Sequence, residues 1–376
     1  MNERTFLDLP LENGQKFYLR KDNLKELCEE IDTFLEDNDN MKTLFFTKKV
    51  LFSHELQSNN QVEGYHDDIE LINNIIKRKV RKIQDIEKQK RILNLYRGYQ
   101  FILKYKLVNE KSLRRLYDIL SDGLLIPYDI NHMGEFYRED IVYILSDRLD
   151  LEDEDTGVDY KNIDNLMNKY FAFYNANTSK DLTEEYIISQ ILHFYFVYIH
   201  PYFDVNGRTS RTMSMWHLLK NEAYPFIIFN RGISFHRNEY YYAISDAKST
   251  HDLTKFLLYM MKEVKMEMEK EYLVQNIAKN SKYDLISEDY QTLLYFMSIN
   301  GSKTALDFAS IYNRLIDKRK PYEIYEKMLV PLIDKEILSV TRYCKKYIKN
   351  ELPNVELEIN KQNIDCDTEK IKRLIV

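Results

Sequence analysis

An apolar run that must be a helix stops dead at a His-Pro pair, and a second helix starts within a few residues. Ile187 to Ile199 is apolar enough to be a buried helix, and Pro201 forbids its continuation past His200. Arg208 to Asn221 reads as the next helix, with Met213, Met215, Trp216, Leu218 and Leu219 to pack against its neighbours. The connection between them is Tyr202-Phe203-Asp204-Val205-Asn206-Gly207. The loop between them would aim the backbone N–H groups near Val205 to Arg208 outward at a helix N-terminus. Unpaired N–H groups and the helix dipole both favour an anion there. Arg208 and Arg211 fall on one helix face and suit phosphate oxygens. Asp204 is a hard oxygen ligand of the kind Mg²⁺ uses beside phosphates. Taken singly, the histidine could be a helix cap, the Asp-Val-Asn-Gly a turn and the arginines solvated; their joint spacing is what points to phosphate chemistry.

His200, Pro201, Asp204, Asn206, Gly207, Arg208 and Arg211 resemble, in register, the signature of Fic-domain proteins, His-Pro-Phe-x-Asp/Glu-Gly-Asn-Gly-Arg-x-x-Arg. Tyr202 stands for the phenylalanine and Val205 for the first glycine. A β-branched residue at that position is expected to resist positive φ and to crowd a phosphate. The resemblance implies a nucleotidyltransferase that moves AMP from ATP onto Ser, Thr or Tyr hydroxyls of a protein target. His200 would be the general base, Asp204 the Mg²⁺ ligand, and Asn206, Gly207, Arg208 and Arg211 the phosphate-binding set. Mg²⁺ is then the cofactor, ATP the substrate, and self-modification an added option.

Ser58-Asn59-Asn60-Gln61-Val62-Glu63-Gly64 is similar to the family's inhibitory-helix motif, Ser/Thr-x-x-x-Glu-Gly/Asn, with Asn59 where the hydroxyl residue belongs. This implies that Glu63 pairs with Arg211 and blocks the γ-phosphate position. Gly134 to Ile144 resembles the flap, a β-hairpin across the site, with Gly134, Tyr137 and Val142 as its marker residues. His236-Arg237-Asn238-Glu239-Tyr240-Tyr241 is similar to an element near the nucleotide base, where Tyr240 and Tyr241 would stack on adenine or else be helix core. Alternatives within the resemblance are another donor, such as UMP or phosphocholine, removal of AMP, or a catalytically silent scaffold used as a binding module.

With nine glycines and seven prolines in 376 residues, few turns are available and long helices are expected throughout. Helices read over Asn23 to Asp39, Lys42 to Ser58, a helix carrying Glu63 on to Ile76, Gln84 to Lys106, Lys111 to Ser121, Tyr160 to Asn175, Thr183 to Ile199 and Asp252 to Glu271. Lys77 to Lys82 is basic, and Asp147 to Asp159 reads as an exposed acidic loop. The expected fold class is all-α: an N-terminal helical region over 1–110 with the inhibitory helix near 58–76, a Fic core over 111–275 with a small β-hairpin flap, a winged-helix-like unit over 280–350, and a polar tail over 351–376. In the third of these, Asp284 to Ile299, Lys303 to Leu315 and Tyr322 to Lys335 read as helices and Ile337 to Tyr343 as a strand. Lys318, Arg319 and Lys320 could touch DNA phosphates, but a protein-docking or packing role is favoured, and homo-oligomers stay open. The net charge of −6 argues against a general nucleic-acid or membrane-surface binder. Three scattered cysteines, Cys28, Cys344 and Cys366, give no disulfide framework, and Met1 to Pro10 has no signal-peptide pattern, so a cytoplasmic location is expected.

Overall fold

The computed structural model describes residues 3–36, 49–67, 69–76, 85–144, 155–220, 229–279, 293–294, 303–315, 319–343 and 355–360. The chain divides into two units, Met1–Lys265 and Met266–Val376. No described helix is long and apolar enough to cross a membrane.

The first unit is all-α in its core. Its helices are α1 (Lys21–Glu36), α2 (Lys49–Val62), α3 (Ile69–Ile76), α4 (Ile86–Lys104), α5 (Glu110–Ser121), α6 (Pro127–Asn131), α7 (Tyr160–Ala176), α8 (Leu182–Ile199), α9 (Asn206–Lys220), α10 (Phe229–Phe235) and α11 (Arg237–Thr250), followed by α12 (Thr254–Lys279). The centre is the α8–α9 pair. Asp181 caps α8 by accepting the Glu184 N–H, satisfying one of the donors that a helix start leaves unpaired. Along the pair, Ser189 and Ser214 exchange hydroxyl-to-carbonyl bonds of 3.1 Å each, and small side chains there let the two backbones approach closely. Buried Glu185 of α8 meets His217 of α9 at 2.7 Å. Both helices are buried on almost every side, as the apolar reading of Ile187 to Ile199 requires.

The other helices wrap this pair. Trp216 packs edge-on to Phe101 of α4 and donates its indole N–H to the Tyr105 carbonyl at 2.6 Å. On the opposite side Tyr170 of α7 packs edge-on to Phe196. Helices α4 and α5 come close enough at Gly98 that a Cβ there would lie 2.6 Å from a methyl of buried Leu120.

The region 1–110, expected to be helical with its first helix from Asn23, opens instead with Thr5–Pro10 and Lys16–Leu19 as an antiparallel hairpin, β1–β2. Its turn uses Gly14 at φ 82°, and Leu7, Leu9, Phe17 and Leu19 alternate inward. Phe17 sits edge-on to Phe194 and Tyr198 of α8, which supplies the tertiary reason for a short strand pair. The flap also differs from expectation. Tyr143–Ile144 (β3) pairs antiparallel with Asp155–Thr156 (β4), so the hairpin joins the segment after Ile141 to the end of the expected acidic loop. Within Gly134 to Ile144 itself only a bridge between Met133 and Arg138 forms, consistent with the absence of a tight-turn signal there. Residues 147–154 of that acidic loop, the basic run Lys77 to Lys82 and the start of the Lys42 to Ser58 helix lie outside the described residues.

A second correction concerns the helix expected to run through Glu63 to Ile76. α2 ends at Val62; Gly64 at φ 84° turns the chain, and α3 starts at Ile69. Glu63 therefore projects from a helix C-terminus, where a glycine in the left-handed region is the usual stop.

In the second unit, Lys303–Thr304 (β5), Leu338–Tyr343 (β6) and Val355–Ile359 (β7) form an antiparallel sheet in the order β5-β7-β6. Lys303 and Thr304 thus belong to a strand, and the helix expected from Lys303 begins at Ala305. The polar tail expected over 351–376 in fact supplies the central strand: Val355, Leu357 and Ile359 alternate into the core. Helical segments run over Ala305–Leu315 and Pro321–Asp334. Most of the helix expected over Asp284 to Ile299 lies outside the described residues, as does Lys318. Arg319, one of the three basic residues that could touch DNA phosphates in the less favoured reading, has its guanidinium 5.5 Å from the centre of the Tyr312 ring.

Gly98→Val should cost about 1–3 kcal/mol, because overpacking a tight helix crossing forces the backbones apart. Urea unfolding of the purified protein reads this directly; an unchanged midpoint would mean that α4 and α5 are not packed this closely.

Candidate active site

Helix α8 ends in the left-handed region, with His200 at φ 53° and its N–H on the Phe196 carbonyl at 3.0 Å. The ring Nδ1 is buried, and the Val197 backbone is a hydrogen-bond partner of the imidazole. Burial first, then the nearby cations of Lys248 and Arg138, push the imidazole down to about 3, so it is held as the free base near neutral pH.

The loop that follows is anchored from below. Tyr202 is fully buried and stacks on Tyr117 of α5, with ring centres 3.5 Å apart and planes 8° from parallel. The Asn206 side chain closes a ring with the same residue, accepting the Tyr202 N–H at 3.0 Å and donating to the Tyr202 carbonyl at 2.8 Å. Both polar ends of Asn206 are thereby used, so in this arrangement the expected phosphate contact is left to its backbone N–H at the start of α9.

Val205 overturns the expectation that valine would refuse positive φ, for it sits at φ 65° and is buried. The strain, of order 1–2 kcal/mol, persists because both neighbours over-determine the turn. Asp204 accepts the Val205 N–H at 2.6 Å, and Thr209 binds the Val205 carbonyl through its N–H at 2.9 Å and its hydroxyl at 2.8 Å. The loop therefore has the left-handed turn that the signature glycine would supply.

Asp204 keeps a 58% exposed side chain, with one oxygen 3.9 Å from Arg208. A single half-free carboxylate beside an anion site fits Mg²⁺, which is held by one or two carboxylates together with phosphates. Among the described residues no group of three or more His, Cys, Asp or Glu forms a metal cluster of its own. Arg208 is buried and its Nε has no partner among the described residues. An unsatisfied buried N–H is costly and marks a place where a ligand oxygen would be welcome.

Arg211 is buried and fully engaged. It donates to Glu63 at 2.5 Å, to the Asn59 side-chain oxygen at 2.9 Å and to the Asn59 carbonyl at 3.2 Å. Burial pushes the Glu63 carboxyl up, but Arg211, Arg208 and Arg237 together hold it below its ordinary value. A depressed carboxyl means that the pair is intact above the ordinary carboxylate range and weakens only as pH falls through it. Gly207 makes the pairing possible: a Cβ there would lie 2.3 Å from the Glu63 carboxylate. Two α11 residues fix the turn that carries Glu63, since Arg237 and Tyr241 donate to the Val62 carbonyl at 2.7 and 3.0 Å.

Of the residues that the sequence reading named, His200, Asp204, Asn206, Gly207, Arg208 and Arg211 lie along the end of α8, the loop and the start of α9, and Glu63 meets Arg211. Asn59, named there only as a departure from the motif and given no role, also bonds to Arg211, and its amide donates to Tyr99 at 2.8 Å while Tyr99 donates to buried Glu55 at 2.9 Å. The signal was available, because Asn59 lies one helical turn before Glu63. Of the two tyrosines considered for adenine stacking, Tyr240 is core: it is buried, bonded to His193 at 2.7 Å and set beside Arg211. Tyr241 is half-buried with its hydroxyl on Val62. In the flap, Tyr137 and Val142 are buried, and the Gly134 N–H meets the Tyr137 carbonyl at 2.8 Å. These three residues build the base of the flap, leaving Ile141 and Tyr143 exposed.

Comparison with known proteins gives a consistent result. Residues 108–218 match the model of the Fic/DOC family. A Fic family protein from Desulfovibrio desulfuricans G20 superposes with a TM-score of 0.52 at 17% identity, covering 90% of this chain and 94% of that one. Residues 134–508 of Fic-1 from C. elegans give a TM-score of 0.50 at 14% identity, covering 67% of this chain and 73% of that one. At such identities the structural likeness speaks for the fold.

Val205→Gly should be more stable than Val205→Ala by about 1 kcal/mol, because alanine keeps the Cβ penalty at positive φ and glycine does not. Thermal unfolding of the two variants tests it; equal stability, or alanine the more stable, would show that the turn is unstrained.

Proposed function

This is a Fic-domain protein, and from that premise we propose that it transfers AMP from ATP to a hydroxyl side chain of a protein, and that Glu63 holds it inactive. The observation that carries the reading is the 2.5 Å contact between the Glu63 carboxylate and Arg211, made directly against Gly207.

The roles follow from the geometry. The N–H groups at the start of α9 and the unpartnered Arg208 Nε receive phosphate oxygens. Asp204 would hold Mg²⁺, which when bound would neutralise charge on the phosphates and on the departing pyrophosphate. His200, held as the neutral imidazole, takes the proton of the incoming hydroxyl. Its proton affinity, low in the empty site, rises when polyphosphate charge arrives nearby. Arg211 binds the far end of the triphosphate once Glu63 has left. Glu63 and that phosphate are two anions competing for one cation, so they exclude each other. The left-handed turn at Val205 supports a phosphate-competent loop over a silent scaffold.

The test is to incubate wild type, Glu63→Gly and Glu63→Gly/His200→Ala with Mg²⁺ and ATP and weigh the intact proteins. Glu63→Gly should gain one AMP mass at least about tenfold faster than wild type, as removal of a blocking state predicts, and the double variant should gain none. Equal adduct in wild type and Glu63→Gly would remove the brake from the account. Adduct in the double variant would remove His200 from the base role.

A further inference from the structure

Arg138 lies at the foot of the flap and is 2% exposed. Its guanidinium donates to three backbone carbonyls: to His200 through Nε at 2.9 Å, to Asp140 at 2.6 Å and to Val158 at 2.5 Å. Its own N–H donates to the Pro201 carbonyl at 3.1 Å. These acceptors belong to three separate segments: the loop after α8, the flap, and the turn that leads into α7. Gly157 leaves room for the junction, since a Cβ there would lie 2.6 Å from the guanidinium, 2.8 Å from a methyl of Val142 and 3.1 Å from the His200 Cβ.

Burying a guanidinium among neutral carbonyls is costly, and desolvation lowers this one to about 10. What the arrangement secures is the conformation of His200. A non-glycine residue at φ 53° persists only when its surroundings hold it, and the direction of the His200 carbonyl fixes where the imidazole points. Only arginine has the fork that serves three acceptors at once.

We propose that Arg138 is the positioning residue for His200, tying its backbone to the flap and to the start of α7 so that base and flap hold one geometry. This rests on the reading of His200 as the general base. Two cations face the imidazole, Arg138 from the flap and Lys248 from α11, so Arg138 also acts on the protonation of the ring.

The experiment compares Glu63→Gly with Glu63→Gly carrying Arg138→Gln or Arg138→Lys. It measures Mg²⁺-dependent ATP affinity, the rate of AMP adduct formation against pH, and the NMR titration of histidine-labelled protein, with the His200 signal identified by its loss in His200→Asn. With Arg138→Gln, ATP affinity should stay within about twofold while the adduct rate falls about 100-fold, the size of effect expected when a reacting group is displaced by an ångström. The His200 midpoint should rise as one cation is lost. Arg138→Lys keeps the charge, so the midpoint should stay low while the rate still falls. An adduct rate for Arg138→Gln within about threefold of its parent, or an unmoved His200 signal, overturns the assignment. Should Glu63→Gly itself form no adduct, the AMP-transfer reading fails, and the His200 titration alone decides the role of Arg138. Should Arg138→Gln not fold, the Arg138→Lys pair decides: an adduct rate within about threefold of its parent overturns the proposal.

Discussion

A buried guanidinium needs acceptors, and most of the first unit's organisation around the site can be traced to how Arg211 finds them. It lies on α9, on the face that meets α2, and α2 answers with the Asn59 side chain and carbonyl and with Glu63. Behind Asn59 the network continues through Tyr99 of α4 to Glu55, so three helices share one set of hydrogen bonds. Removing one partner from such a network leaves a desolvated charge behind, which costs far more than the pair is worth in isolation. That cost ties the N-terminal helices to the loop after His200. It also explains why position 207 is glycine in this arrangement, since any side chain would enter the space of the Glu63 carboxylate.

The same constraint gives the regulatory logic. Glu63 is 27% exposed while Arg211 is 1% exposed, so the carboxylate stands on the solvent side of the pair and can leave without unburying the cation. An incoming phosphate would satisfy Arg211 in its place. On the proposed reading, folding and substrate binding draw on one cation, and the exchange is of anion for anion. Keeping the site about 99% closed needs only about 2.7 kcal/mol in favour of Glu63. A charge-assisted pair of this kind is of that order.

The parts of this that were legible in the sequence were local. The stop at His200-Pro201, the start of α9 and the one-turn spacing of Arg208 and Arg211 follow from periodicity and helix-end rules. Glu63 and Arg211, far apart in sequence, could be paired only through the resemblance to a family motif. What stayed hidden depended on distant partners. The β1–β2 hairpin is a strand pair because α8 presents aromatic rings to Phe17. β3 waits for β4 across a long connection, and the alternation of β7 is strict but only five residues long within a polar stretch. Asn206 and Tyr240 carry side chains able to meet a ligand, yet one is spent on the Tyr202 backbone and the other lies beneath Arg211. Val205 is the opposite case: the local rule for a β-branched residue was sound, and the hydrogen bonds of Asp204 and Thr209 overrode it.

The central claim is that Glu63 and a nucleotide compete for Arg211. Its most direct test is calorimetric titration of Mg²⁺·ATP into wild type and Glu63→Gly. If the carboxylate closes the site to the extent argued above, Glu63→Gly should bind up to about 100-fold more tightly, because apparent affinity scales with the fraction of open protein. Equal affinity in the two proteins would contradict the account, showing that the Glu63–Arg211 pair holds the fold together without guarding the site.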